Sequence, residues 1–285
     1  ETIICKMGAA FGQSSNIGEY ALISVANELA AEGGRAFRVS VHIFLPPDGK
    51  NVHMYEIEKK IRDVCGRQGI VLDGIRRTPG APVSLYMASV AGISAKKESD
   101  EQPRRLLPGQ DIVLVGPIGL EGTIRLLEEK KEELEGRFAP TFLSRIRGQG
   151  SGLWAMGAIE EGRSAGASVI RQVGEGGIFA ALWRLSEEAL TGVEADMRKM
   201  LIRQETIEIC EHLDLSPYQL ASAGSLLMTA DDGEGLARRL KEKGIMASAI
   251  GRLRDDKDKI VRNGEDVRYI DRPAADEIHR LCAAG

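Results

Sequence analysis

At 285 residues, with 43% hydrophobic side chains and 33 glycines, the chain is long enough for two buried cores and rich in turns. A formal net charge of -4 and a pI near 5.8 exclude a general nucleic-acid binder. No apolar run reaches membrane-spanning length and no basic-then-apolar leader opens the chain, so a cytoplasmic protein with no membrane partner is expected.

Glu19 to Ala31 carries Leu22, Val25, Ala26 and Leu29 at helical spacing and stops at Gly33-Gly34, which predicts a helix. Phe37 to Leu45 alternates as a strand does, and Pro46-Pro47-Asp48-Gly49 turns the chain. Tyr55 to Cys65 reads as a second helix through Ile57, Ile61 and Val64, and Val83 to Ile93 as a strand. The charged run from Lys96 to Pro103 marks a domain boundary or an exposed loop beside it, giving expected domains at 1–100 and 106–285.

The second half opens on a buried strand from Asp111. Helices are predicted over Thr123 to Leu134 and Leu153 to Ser164, the latter preceded by Gly148-Gln149-Gly150-Ser151-Gly152, which reads as a flexible connection rather than a phosphate cradle. Ala167 to Arg171 is a strand. Gly176 to Ala189 is a helix with Ile178, Phe179, Leu182 and Leu185 as its core stripe, and Trp183 at that core or its edge. Strands at Leu226 to Thr229 and Ala247 to Leu253 bracket a helix from Gly235 to Lys243. Asn263-Gly264 signals a hairpin, and a helix from Ala274 to Leu281 closes the chain. The fold class that follows is α/β (α+β) in two domains.

Two segments carry chemistry. In Arg171-Gln172-Val173-Gly174-Glu175-Gly176-Gly177, running into Ile178, a strand meets a glycine turn and a helix start, where unpaired amides and the positive end of the helix dipole suit phosphate. As physics alone, tight packing is the commoner use of such a pair of glycines. Glu175 would compete for the same amides unless it holds a metal ion or turns away, which suggests Mg-nucleotide chemistry. Pro108 to Thr123 repeats the pattern: a turn, a buried strand, then Gly116-Pro117-Ile118-Gly119-Leu120-Glu121-Gly122 leading into a helix.

With Ala223-Gly224-Ser225-Leu226-Leu227 and Ile250-Gly251-Arg252-Leu253, these segments resemble the aminoimidazole-ribonucleotide (AIR) synthase, or PurM, superfamily, on the branch similar to HypE-like hydrogenase maturation proteins. The resemblance is strongest from Pro108 to Asp196 and faint before Ser94. It implies a PurM-like fold whose N-terminal sheets pair in a homodimer as a barrel-like core. It also implies Mg-ATP as ligand, a partner from a maturation pathway, and activation of a carboxamide or acid oxygen by phosphorylation. Phosphate would lie against Gly119, Gly122, Glu175, Gly176 and Gly177, with Glu28 and Glu175 toward the metal; no catalytic residue is assigned.

The chain departs from the family pattern. Asn27-Glu28 stands for an Asn-Asp pair, so Glu28 reads equally as a metal ligand or as a solvated helix carboxylate. Val71-Leu72-Asp73-Gly74-Ile75-Arg76-Arg77 occupies the place of a Gly-Gly-Asp/His-Thr loop, and Arg76 and Arg77 read as exposed loop arginines. Arg171-Gln172 stands for His-Asp, and Gly174 for Thr. These losses imply weakened ATP-dependent activity, or a degenerate member serving as a dimeric binding or scaffold protein. The chain begins on Glu1 rather than Met; the resemblance implies an acidic nucleotide motif in the segment ahead of this point, either lost from this protein or lying upstream of Glu1.

Cys5, Cys65, Cys210 and Cys282 show no paired spacing, which signals neither a zinc cluster nor a disulfide framework. Cys282 has three residues after it, unlike the terminal cysteine of HypE-like proteins, and reads as an ordinary thiol. His42, His53, His212 and His279 are scattered and support no histidine metal site.

Overall fold

A computed structural model describes residues 2–96 and 105–282. The polar run at 97–103, read above as a domain boundary, lies outside the described residues. By internal contacts the chain divides into a unit of residues 1–101 with 125–136, and a unit of 102–124 with 137–284.

The first unit is a four-stranded sheet with helices on one face. In chain order it comprises β1 (Thr2–Gly12), α1 (Ile17–Glu32), β2 (Arg38–Phe44), α2 (Asn51–Gln68), β3 (Val71–Thr78) and β4 (Tyr86–Lys96). The strand order is β1-β4-β2-β3, with β2 and β3 parallel and the other pairs antiparallel. Glycines let α1 lie close: a Cβ at Gly92 would run into Val25 and approach Leu29 Cδ1 at 3.0 Å. α1 is apolar nearly all round and ends at Gly33, whose φ of 108° only glycine adopts readily. Among the described residues, no helix covers the opposite sheet face. There Ile3 and Met7 are 73% and 72% exposed, with Cys5 and Ile93 also exposed beside them.

β1 was not foreseen, and residues 71–78, expected as a loop, pair with β2 as a strand. Arg77 is engaged with the Glu58 carboxylate, which also accepts from Arg62 Nη2 at 2.7 Å. Asp73 pairs with Arg38 at 2.6 Å.

The second unit contains β5 (Asp111–Val115), α5 (Pro140–Arg147), α6 (Met156–Ser164), β6 (Val169–Gly174), α7 (Gly177–Ala189), β7 (Val193–Asp196), α8 (Gln204–His212), β8 (Ser222–Ala230), α9 (Gly233–Glu242), β9 (Ala247–Leu253), β10 (Lys259–Asn263), β11 (Asp266–Tyr269) and α10 (Glu277–Cys282). The helix predicted over 123–134 is two, α3 (Leu120–Glu129) and α4 (Lys131–Arg137), interrupted at Lys130, and α3 passes from the second unit into the first at residue 125. The sheet order is β11-β10-β7-β9-β5-β8-β6. Ile178, Leu182 and Leu185 of α7 pack on Ile112, Leu114, Leu227, Ile250, Val193 and Val261, and Trp183 and Phe179 sit partly buried at the edge of that core. The predicted Asn263-Gly264 hairpin forms, with Gly264 at φ 68°.

Candidate functional site

The second unit builds two strand–glycine–helix corners, and the chain leading into β8 stitches them together. At the first corner, β5 runs through Gly116 (φ 78°) and Gly119 (φ 73°) into α3. The Gly119 amide donates to Ser222 Oγ at 2.7 Å, and the Gly122 amide to the Ala221 carbonyl at 2.9 Å. Thr123 Oγ1 closes the turn on the Gly119 carbonyl at 2.7 Å and contacts Thr206 Oγ1 at 3.0 Å. Glu121 is buried and accepts from the Ala223 amide at 2.8 Å. A side chain at Gly122 would come within 2.6 Å of Leu220 Cδ1.

At the second corner, β6 ends on Gly174 (φ 62°), and Gly176 and Gly177 follow at φ 77° and 65° before α7. The Gly176 amide donates to Asp276 Oδ2 at 2.7 Å. Asp276 is 1% exposed, and its other oxygen accepts from the amides of Ala221 at 3.1 Å and Ile278 at 3.0 Å. A carboxylate of the chain itself thus occupies donors that would suit an external anion. A Cβ at Gly177 would strike the Tyr218 carbonyl and lie 2.9 Å from Gln219 Cα, so this glycine also serves close packing. Phe179 stacks on Tyr218 at 5.2 Å between centroids.

Glu175 projects outward, 70% exposed, with Oε1 3.3 Å from His279 Nε2. Gln172 is buried in β6. Five of the six candidate residues, Gly119, Gly122, Glu175, Gly176 and Gly177, fall in this one unit. Glu28 belongs to the other, half-buried on α1. Among the described residues, no group of three or more His, Cys, Asp and Glu side chains is placed to hold a metal ion. The Cys210 thiol of α8 is pushed up to about 12 by burial, with Glu277 adding to it, which makes it inert.

Sequence reasoning missed Asp276, Ser222 and Thr206. Asp276 had one signal: an acidic residue just ahead of a helix that it caps. Nothing in the sequence links it to a glycine 100 residues away.

The family described as AIR synthase related protein, C-terminal domain, matches residues 108–263. A putative hydrogenase expression/formation protein of Methanocaldococcus jannaschii is 24% identical over 284 residues, 95% of this chain and 81% of that relative. A carbamoyl dehydratase HypE of Rhodobacter capsulatus is 22% identical over 277 residues, 94% of this chain and 79% of its own length. Among solved structures, Escherichia coli HypE superposes with a TM-score of 0.76 at 18% identity, covering 99% of this chain and 89% of that one. A HypE in complex with ATP gives 0.73 at 15% identity, covering 99% and 88%. A HypE-HypF complex gives 0.71 at 18%, covering 95% and 90%.

Proposed function

Since this chain belongs to the AIR synthase-related family, we propose that it is a HypE-like maturation protein with weakened ATP-dependent activity toward a carboxamide or acid group. The observation that supports this most is the pair of glycine corners, both inside the matched segment and joined through residues 220–223. The names of the relatives supply the reaction class. In that class the γ-phosphoryl group of ATP passes to the amide oxygen and ADP leaves; loss of phosphate together with the amide protons then leaves a nitrile.

Gly119, Gly122, Gly176 and Gly177 are the proposed phosphate side, and Glu28 and Glu175 the proposed carboxylates toward Mg2+, which arrives with ATP as part of the substrate. The weakening has a physical basis. The amides of Gly119, Gly122 and Gly176 already have internal partners, and the described residues hold no preformed metal cluster. Gln172 also carries no charge where the family has an acid.

The exposed sheet face of Ile3, Met7 and Ile93 supports a homodimer through the first unit, since contiguous apolar surface of this kind marks an interface. A second protein of a maturation pathway is the proposed partner, on the likeness to HypE in its complex with HypF. No helix of the described residues is long and apolar enough to cross a membrane, and a cytoplasmic setting is proposed with the family.

The second reading, a non-catalytic dimeric scaffold, is favoured by the commitment of Asp276 to the Gly176 amide. Incubation with Mg-ATP and a carboxamide-bearing partner, followed by mass spectrometry, separates the two. Slow loss of one water from the carboxamide coupled to ADP release supports the enzyme, with Cys282 remaining uncarbamoylated. An intact dimer with neither product overturns it.

A further inference from the structure

The open sheet face of the first unit carries one group that titrates near neutral pH. By register, Ala9 of β1, Ser89 of β4, His42 of β2 and Arg76 of β3 lie side by side across the sheet. Ala9 follows the exposed Met7 by two positions, so this row shares the uncovered face, while α1 and α2 pack on the other. The His42 ring lies 3.9 Å from that of Phe44 between centroids, and its Nε2 2.8 Å from Thr78 Oγ1.

One charge faces this ring. From β4 it meets neutral Ser89, flanked by Met87 and Ala91, and on β2 itself Ser40 and Phe44 stand to either side. From β3 it meets Arg76, which has no carboxylate partner among the described residues. Asp73, the only carboxylate of β3, is taken by Arg38 at 2.6 Å. Burial, foremost, and then Arg76 hold the His42 ring below the ordinary histidine value.

The sheet edges decide what covers this face. β1, 11 residues long, and β3 form the two ends of the sheet, and among the described residues neither outer edge is paired with another strand. A helix or loop laid over the face would bury Ile3, Met7, Ile93 and Val71 yet leave both edges open. A second copy related by a two-fold axis does both, because two four-stranded sheets close into one eight-stranded barrel. Eight strands enclose a space just wide enough for side chains to fill, so His42 of each copy passes from solvent into a dry interior beside an arginine.

We propose that pH controls dimerisation through His42: in mild acid the protonated ring would put a second positive charge beside Arg76 inside the closed barrel, and the copies separate. This rests on the homodimer proposed above and names the group that breaks it. Closing the barrel desolvates the ring further, so the dimer binds fewer protons than two free chains. Association is therefore at full strength above the free chain's His42 pKa and weakens as pH falls through it toward the lower value of the dimer. With one such histidine per copy, Kd rises by up to about a hundredfold per pH unit.

The test is analytical ultracentrifugation of the full chain between about pH 8 and about pH 5.5, across the histidine range, with far-UV circular dichroism at each step. Wild type should dimerise at the upper end and bind at least tenfold more weakly at the lower, with its secondary structure retained. His42→Gln, which keeps a polar group for Thr78 and takes no charge, should stay dimeric throughout, while His53→Gln on α2 behaves as wild type. A Kd that does not change with pH would overturn the switch and leave the dimer standing. Undiminished pH dependence in His42→Gln, or dissociation only in step with loss of secondary structure, would overturn it equally. A wild-type chain that is monomeric even at the upper end overturns the dimer itself, and the switch with it.

Discussion

At the scale of single residues, Gly177 and Asp276 carry the second corner. Gly177 combines a left-handed φ with backbone contact to Tyr218 and Gln219, so Gly177→Ala should lose about 1–2 kcal/mol from φ and about 1–3 kcal/mol more from overlap. Gly244 is the internal control, at φ 76° with no atom within 4 Å of an added Cβ. Urea unfolding of both variants should show the larger loss at Gly177; equal losses would contradict the packing role. Asp276→Ala should cost about 1–3 kcal/mol per buried amide left unpaired, read by the same method, and loss of protection of the Gly176 and Ala221 amides in hydrogen exchange should accompany it. Unchanged protection would contradict the assignment. The Glu175-Gly176-Gly177 turn was legible because glycine pairs punctuate a strand-to-helix passage. Its partner was not, because hydrogen bonds between residues a hundred positions apart leave no local pattern.

Among the elements, those with a clear local signal were legible: the apolar run of α1 stopped by Gly33-Gly34, the α7 stripe, β9, and the Asn263-Gly264 hairpin. β3 escaped because Asp73, Gly74, Arg76 and Arg77 break any apolar alternation, and its strand state comes from pairing with β2. β1 escaped because Cys5-Lys6-Met7-Gly8-Ala9-Ala10 carries little β propensity. Glu58 ties α2 to β3. Burial works against its charge, yet Arg62 and Arg77 outweigh that and hold its carboxyl below the ordinary value. The folded chain therefore takes up this proton less readily than the unfolded one. The stabilisation is present above the ordinary glutamate pKa, about 4.3, and is lost as pH falls through the folded value. Denaturation of wild type and Glu58→Gln should show a stability difference near neutral pH that shrinks in acid. A difference independent of pH would contradict the ion-pair account.

For the whole molecule, the open face of the first unit and the glycine corners of the second make separate predictions. Met7→Glu, placing a charge on the apolar face beside Ile93, should convert a dimer into a monomer by light scattering at micromolar concentration. A wild-type chain that stays monomeric on concentration would contradict the dimer. The central claim is nucleotide binding of reduced strength. Loss of two charge-assisted contacts, each worth about 1–3 kcal/mol, weakens binding by roughly one to four powers of ten. Calorimetric titration with Mg-ATP, run beside Escherichia coli HypE and the Glu175→Gln variant, tests this most directly. The account predicts measurable binding, weaker than that of HypE by a factor in that range and weaker still in Glu175→Gln. Binding as tight as that of HypE, or none to the intact wild-type protein at millimolar nucleotide, would contradict it.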